Sequence, residues 1–147
     1  FTGSTFGRAE EAMKFYTSIF DVASITNLQH YPGQTPFAGK VLFSESKLNN
    51  FDLIAMDGPG EHAFAFNEAL SFVVTCDTQD EIDHYWNKLT EGGQESRCGW
   101  LKDQFGISWQ IVPAILGKLM TDPEKAPRVM QAFMQMTKFD IEKLKQA

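Results

Sequence analysis

"CGWLKDQFGISWQIVP", residues 98–113, reads as two β-strands that return through a short turn, with a tryptophan in each strand and one amide, Gln110, near the end of the second. A three-residue loop of Gln104, Phe105 and Gly106, with Gly106 in the left-handed position of a bulged turn, pairs Asp103 with Ile107. Successive side chains of a strand point to opposite faces, so this register decides every face assignment, and a slip of one residue would exchange the two sets. Trp100 opposes Gln110 and Cys98 opposes Val112. Trp100, Gln110 and Cys98 then share one face, while Trp109 and Ile111 share the other and are expected to pack against helices.

Upstream of the hairpin, "LSFVVTC" has the length and β-branching of a buried strand. The Thr78-x-x-Glu81 capping box follows, and Ile82, Tyr85, Trp86 and Leu89 mark one face of a helix that ends at Gly92-Gly93. The first half repeats the pattern. Ala9, Ala12, Met13, Tyr16, Ile19 and Phe20 recur at helical spacing over 9–20, with Glu10 and Glu11 in the first turn. A polar stretch with Pro32, Gly33, Pro36 and Gly39 reads as loop, and "KVLFSES" and "NFDLIAMDG" read as paired strands ending at a turn cluster, Asp57 to Gly60.

Superposing Phe15-Tyr16 on Tyr85-Trp86 aligns the halves at an offset of 70. By that analogy the first half also needs a strand before its helix, which residues preceding Phe1 are expected to supply. The tail is different. After "AILGKLM", Asp122-Pro123 reads as a helix start, Val129, Met130, Phe133 and Met134 recur at helical spacing, and Asp140 precedes "IEKLKQA". Pro127 fits a first helical turn or a break. The expected organisation is residues 1–60, 61–113 and a helical extension 114–147, forming one structural domain.

Thirteen basic against nineteen acidic residues give a net charge of −6 with no basic cluster, which argues against a nucleic-acid partner. No apolar run approaches the roughly 20 residues that span a bilayer, so no membrane partner is expected. Two cysteines without CxxC spacing indicate neither a disulfide framework nor structural zinc, and reduced thiols suit a cytoplasmic location.

The stretches "GRAEEAMKFYTSIF", "LSFVVTCDTQDEIDHYWNKLTEGG" and "CGWLKDQFGISWQIVP", with "DPEKAPRVMQAFMQM" in the tail, resemble the PhnB-like branch of the vicinal oxygen chelate superfamily, which includes glyoxalase I and the fosfomycin and bleomycin resistance proteins. The resemblance implies an α+β fold of paired βαβββ modules whose curved sheets enclose a cavity, and a homodimer. It places a metal-ligand position of the metal-dependent relatives at Ser71 and a second, a glutamate in those relatives, at Gln110. A hydroxyl and a neutral amide are poor ligands for Zn²⁺ or Mn²⁺. Asp52 is the one visible candidate for a third ligand. The expectation is therefore a small-molecule-binding protein with no metal and no cofactor. The alternative is a metal-dependent glyoxalase-like or resistance-type enzyme that recruits a metal through Asp52 and residues outside the visible strands. Members of the branch often carry the description 3-demethylubiquinone methyltransferase, but the paired glycines here follow a helix and do not form the Gly-rich strand-to-helix turn of a doubly wound methyltransferase.

The expected ligand cavity is lined by Trp100, Gln110, Ser71, Cys98, Met56 and Phe66. Resistance-type relatives contact substrate three and five positions before the hairpin aspartate, which the resemblance maps to Trp100 and Cys98. Each has a second reading: Trp100 as core filler, Gln110 as a satisfied buried amide, Cys98 as an inert thiol with no base nearby, Phe66 (with Phe64) as core or as a lid. His30, His62 and His84 sit on a connector, a linker and an exposed helix face. No catalytic pair stands out.

Overall fold

The capping box predicted at Thr78 is formed in the computed structural model, which describes residues 1–147: Glu81 N donates to Thr78 Oγ1 at 3.2 Å, and Glu81 Oε2 accepts from the amides of Asp77 and Thr78. Helix α2 (Gln79–Thr90) therefore starts where its orphan amides are satisfied, and Ile82, Tyr85, Trp86 and Leu89 are all buried. Helix α1 (Ala9–Ile19) lies 70 residues earlier and buries Ala9, Ala12, Met13, Tyr16 and Ile19. The offset found in the sequence is thus the offset of two real helices.

The chain divides into two compact units, Phe1–Ala65 and Phe66–Ala147. In the first, α1 packs on β1 (Ala23–His30) and β2 (Val41–Leu48) of an antiparallel sheet ordered β1-β2-β3, with β3 at Phe51–Ala55. The sequence reading missed β1. Its Ile25 and Thr26 are β-branched, but a bulge between Ile25 and Asn27 breaks the alternation that would have marked it.

The start of α1 has no side-chain cap of its own; Asp57, 1% exposed, does that work from the far end of the sheet. Its Oδ1 accepts from the amides of Gly7 (2.8 Å) and Ala9 (3.2 Å), and its Oδ2 accepts from Val41 at the head of β2 (2.8 Å). One buried carboxylate thus ties the helix N-terminus, where the helix dipole favours an anion, to the sheet. Beside it the Phe1 amine donates to Met56 O and Gly58 N donates to Phe1 O, a single parallel bridge. The second unit has a matching bond, Ala114 N to Cys76 O, at the end of a full parallel strand pair.

That second unit holds β4 (Phe72–Cys76), α2, β5 (Gln94–Glu95), β6 (Trp100–Lys102) and β7 (Ser108–Pro113) in a mixed sheet ordered β4-β7-β6-β5. Its βαβββ order and the αβββ order of the first unit make the fold α+β, followed by helices α3 (Ile115–Thr121), α4 (Ala126–Phe133) and α5 (Ile141–Gln146). Pro127 occupies the first turn of α4. Asp122-Pro123 is not the helix start read from the sequence: Asp122 ends α3, and its Oδ1 accepts from the amides of Glu124 and Lys125 in the turn before α4. The tail is fastened to α2 and to the hairpin. Gln79 bonds both Phe139 O and Ile141 N, Lys138 pairs with Asp83, and Met136 O and Thr137 O accept from Cys98 N and Gly99 N. No helix is long and apolar enough to cross a membrane.

Asp57→Ala is expected to lower unfolding stability by about 3–5 kcal/mol in urea titration, since three amides lose a charged acceptor. Asp57→Asn, which can keep one oxygen on Gly7 and Ala9 but cannot accept from Val41, should lose about half of that; a loss equal to that of Asp57→Ala would show that the Gly7 and Ala9 bonds contribute nothing.

Candidate functional site

The hairpin forms in the register read from the sequence. Trp100 pairs with Gln110, Leu101 with Trp109 and Lys102 with Ser108, and the turn runs through Gln104, Phe105 and Gly106, with Gly106 at φ +84°. Asp103, 3% exposed, holds this arrangement: its Oδ1 accepts from Phe105 N (2.9 Å) and Ile107 N (3.0 Å), and its Oδ2 from the Trp109 indole N–H (2.8 Å). Trp109, Leu101 and Ile111 are thereby buried on the face that carries α2.

Alternation sends their neighbours to the opposite face. Across the strands run Gln94, Lys102 and Ser108 in one row, and Trp100, Gln110 and Val73 in the next. Val73 is 57% exposed, so this face is open within the unit. Gln110 Nε2 donates to Ser71 Oγ at 2.9 Å, which joins two of the residues singled out in the sequence. Toward the β5 edge lies a cleft of about 390 Å³, bordered among others by Glu68, Gln94, Trp100, Lys102 and Ser108. The Lys102 ammonium pairs with the Glu68 carboxylate, which is held below the usual carboxylate range chiefly by that hydrogen bond. Ser108 is 2% exposed and its hydroxyl has no hydrogen-bond partner.

Cys98 does not oppose Val112. It precedes β6 at φ +55°, followed by Gly99 at φ +78°, and a side chain at Gly99 would lie 2.6 Å from Ile111 O and 2.5 Å from the Phe139 ring. These two left-handed residues turn the chain out of the ladder, so Cys98 Sγ faces the tail, 3.6 Å from Phe133 O and 4.0 Å from Met134 Sδ. Met56 follows β3 in the first unit and is 47% exposed. Phe66 is exposed in the segment before β4. The open face of the second unit therefore gathers Trp100, Gln110 and Ser71. The sequence reading missed Lys102 and Ser108, although the alternation that selected Trp100 and Gln110 selects them equally.

The donor chemistry of the resembled metal site does not fit a metal ion. The positions mapped to ligands are a hydroxyl and an amide bonded to each other, and Asp52 pairs with Lys47 at 2.9 Å. No group of three or more His, Cys, Asp or Glu side chains is placed to hold one. His30 is bonded to Glu10, and His62 lies against Pro59 O and the Phe64 ring. Burial, and then the Glu81 and Asp77 carboxylates, push the Cys76 thiol up to about 12, so it is no nucleophile at neutral pH. In the native protein at pH 8, Cys76 should resist iodoacetamide for hours by mass spectrometry; rapid alkylation there would contradict the burial of β4.

A family profile described as 3-demethylubiquinone-9 3-methyltransferase matches residues 5–112. The chain is similar to a PhnB protein from Bacillus cereus, 37% identical, with 74% of this chain and 93% of that one covered and a TM-score of 0.71. It also shares its fold with a protein of known structure from Pseudomonas aeruginosa, 19% identical over 74% of this chain and 90% of that one, TM-score 0.65. No curated protein matches. The chain belongs to the PhnB-like family that carries this methyltransferase description.

Proposed function

We propose that this member of the PhnB-like family binds a small organic molecule against the open face of its second-unit sheet, with Trp100 and Gln110 as the floor, and that it does so without a metal. The observation that carries the reading is the hydrogen bond between Gln110 and Ser71, which commits to each other the two side chains that a metal-dependent relative would use as ligands. An indole beside a primary amide supports recognition of a planar molecule, with stacking on Trp100 and orientation by the amide. The wider vicinal oxygen chelate assignment, the homodimer and the cytoplasmic location belong to the same reading, the last supported by two free thiols.

Methyl transfer gains no support from the architecture. Strand β4 passes into α2 through Asp77-Thr78 with no Gly-rich turn, Gly92-Gly93 comes after α2, and neither sheet is doubly wound and parallel.

Full-length protein purified without chelator should carry substoichiometric Zn²⁺ and Mn²⁺ by elemental analysis, and a panel of planar fragments should include members that quench tryptophan fluorescence in the wild type but not in Trp100→Phe. Stoichiometric, tightly held metal, or fragment binding indifferent to Trp100, would overturn the reading.

A further inference from the structure

The row Gln94–Lys102–Ser108 lies beside the Trp100 indole, and two features of that row are unfinished in the free protein. Ser108 borders the cleft and is 2% exposed, and its hydroxyl bonds to nothing. A buried hydroxyl without a partner is a net cost to folding, and a ligand that reaches it can supply the partner. The Lys102 ammonium, on a side chain 32% exposed, is covered by a carboxylate that is itself 63% exposed and carried on the irregular segment before β4. An ion pair of that kind contributes little and exchanges readily.

We infer that the cleft takes a small planar aromatic carboxylate, whose carboxylate displaces Glu68 from Lys102 and accepts from the Ser108 hydroxyl while its ring lies on Trp100. Glu68 is then a stand-in for the ligand's own anion. The geometry selects the class. Lys102 and Ser108 are cross-strand neighbours, so one carboxylate can span both with its two oxygens. Trp100 occupies the adjoining position on β6's open face, which sets the ring next to the anion. The other acid of the cleft, Glu95, is engaged by the Trp86 indole N–H at 2.9 Å and stays out of the exchange. This inference rests on the ligand-binding reading and narrows it to one class.

The test is a titration of the full chain with benzoate and with benzamide, followed by tryptophan fluorescence and by amide shifts of the open face. Benzoate should bind, with benzamide at least about tenfold weaker, because the amide cannot replace the Glu68 charge on Lys102. Glu68→Gln should tighten benzoate by about two- to fivefold by removing the competing anion. Lys102→Met should abolish benzoate binding. Ser108→Ala separates a ligand contact from a packing role: it should raise the melting temperature of the free protein by about 2–5 °C, as an orphan hydroxyl is removed, yet weaken benzoate about fivefold. Benzamide binding as tightly as benzoate, no benzoate binding at all, or Glu68→Gln leaving benzoate unchanged would overturn the inference. If benzoate fails while other planar fragments still quench Trp100, the carboxylate class falls and the ligand-binding reading stands; if every fragment fails, both fall.

Discussion

The carboxylate of Asp103 is the constraint from which the site follows. It is buried inside the hairpin turn, yet both oxygens are used, one on the amides of Phe105 and Ile107 and the other on the Trp109 indole. A buried anion is tolerated when it is this fully bonded, and once in place it permits one turn conformation. The turn fixes the register, and the register sends Trp109, Leu101 and Ile111 to the α2 side while it presents Trp100, Lys102, Ser108 and Gln110 on the other. Asp57 solves a comparable problem in the first unit, holding the start of α1 to the head of β2. Each half of the repeat is thus fastened internally by one acidic side chain at a turn.

What was legible in the sequence was what local chemistry dictates. The Thr78–Glu81 capping box, the apolar stripe of α2 and the Gly106 turn each need only neighbours within a few residues, and the hairpin register followed from the turn alone. Strand β1 was not legible because its bulge breaks the period. Cys98 was misplaced because strand alternation was extended two residues beyond the start of β6, into Cys98 and Gly99, whose left-handed backbone bends the chain, and what stabilises that bend is a pair of carbonyls, Met136 O and Thr137 O, nearly forty positions away. The roles of Asp57 and Asp103 were hidden for the same reason: an aspartate at a turn reads as solvated until its partners are known. Lys102 was passed over because an ion-pairing lysine in a strand looks like an exposed edge charge, and Ser108 because a lone serine carries no pattern.

The Gln110–Ser71 bond gives the family resemblance its physical content. An amide and a hydroxyl stand at the two positions that the resemblance maps to ligands, and Gln110 donates to Ser71, so this pair is electrically neutral. Charge enters this face at Lys102 instead, from one strand position over. The face thus offers a neutral amide–hydroxyl pair and one lysine rather than a set of imidazole or carboxylate donors.

All of this depends on the register that Asp103 imposes, and nuclear Overhauser contacts between α-protons read it directly. Trp100–Gln110 and Lys102–Ser108 are the close, non-hydrogen-bonded pairs of the hairpin, so strong cross-peaks are expected for both in the wild type, with slow exchange of the Trp109 indole proton. In Asp103→Ala the cross-peaks should fade and the indole proton exchange freely. Cross-peaks that pair Trp100 with Trp109 or Ile111, or an Asp103→Ala variant that keeps both contacts and the protected indole, would contradict the account.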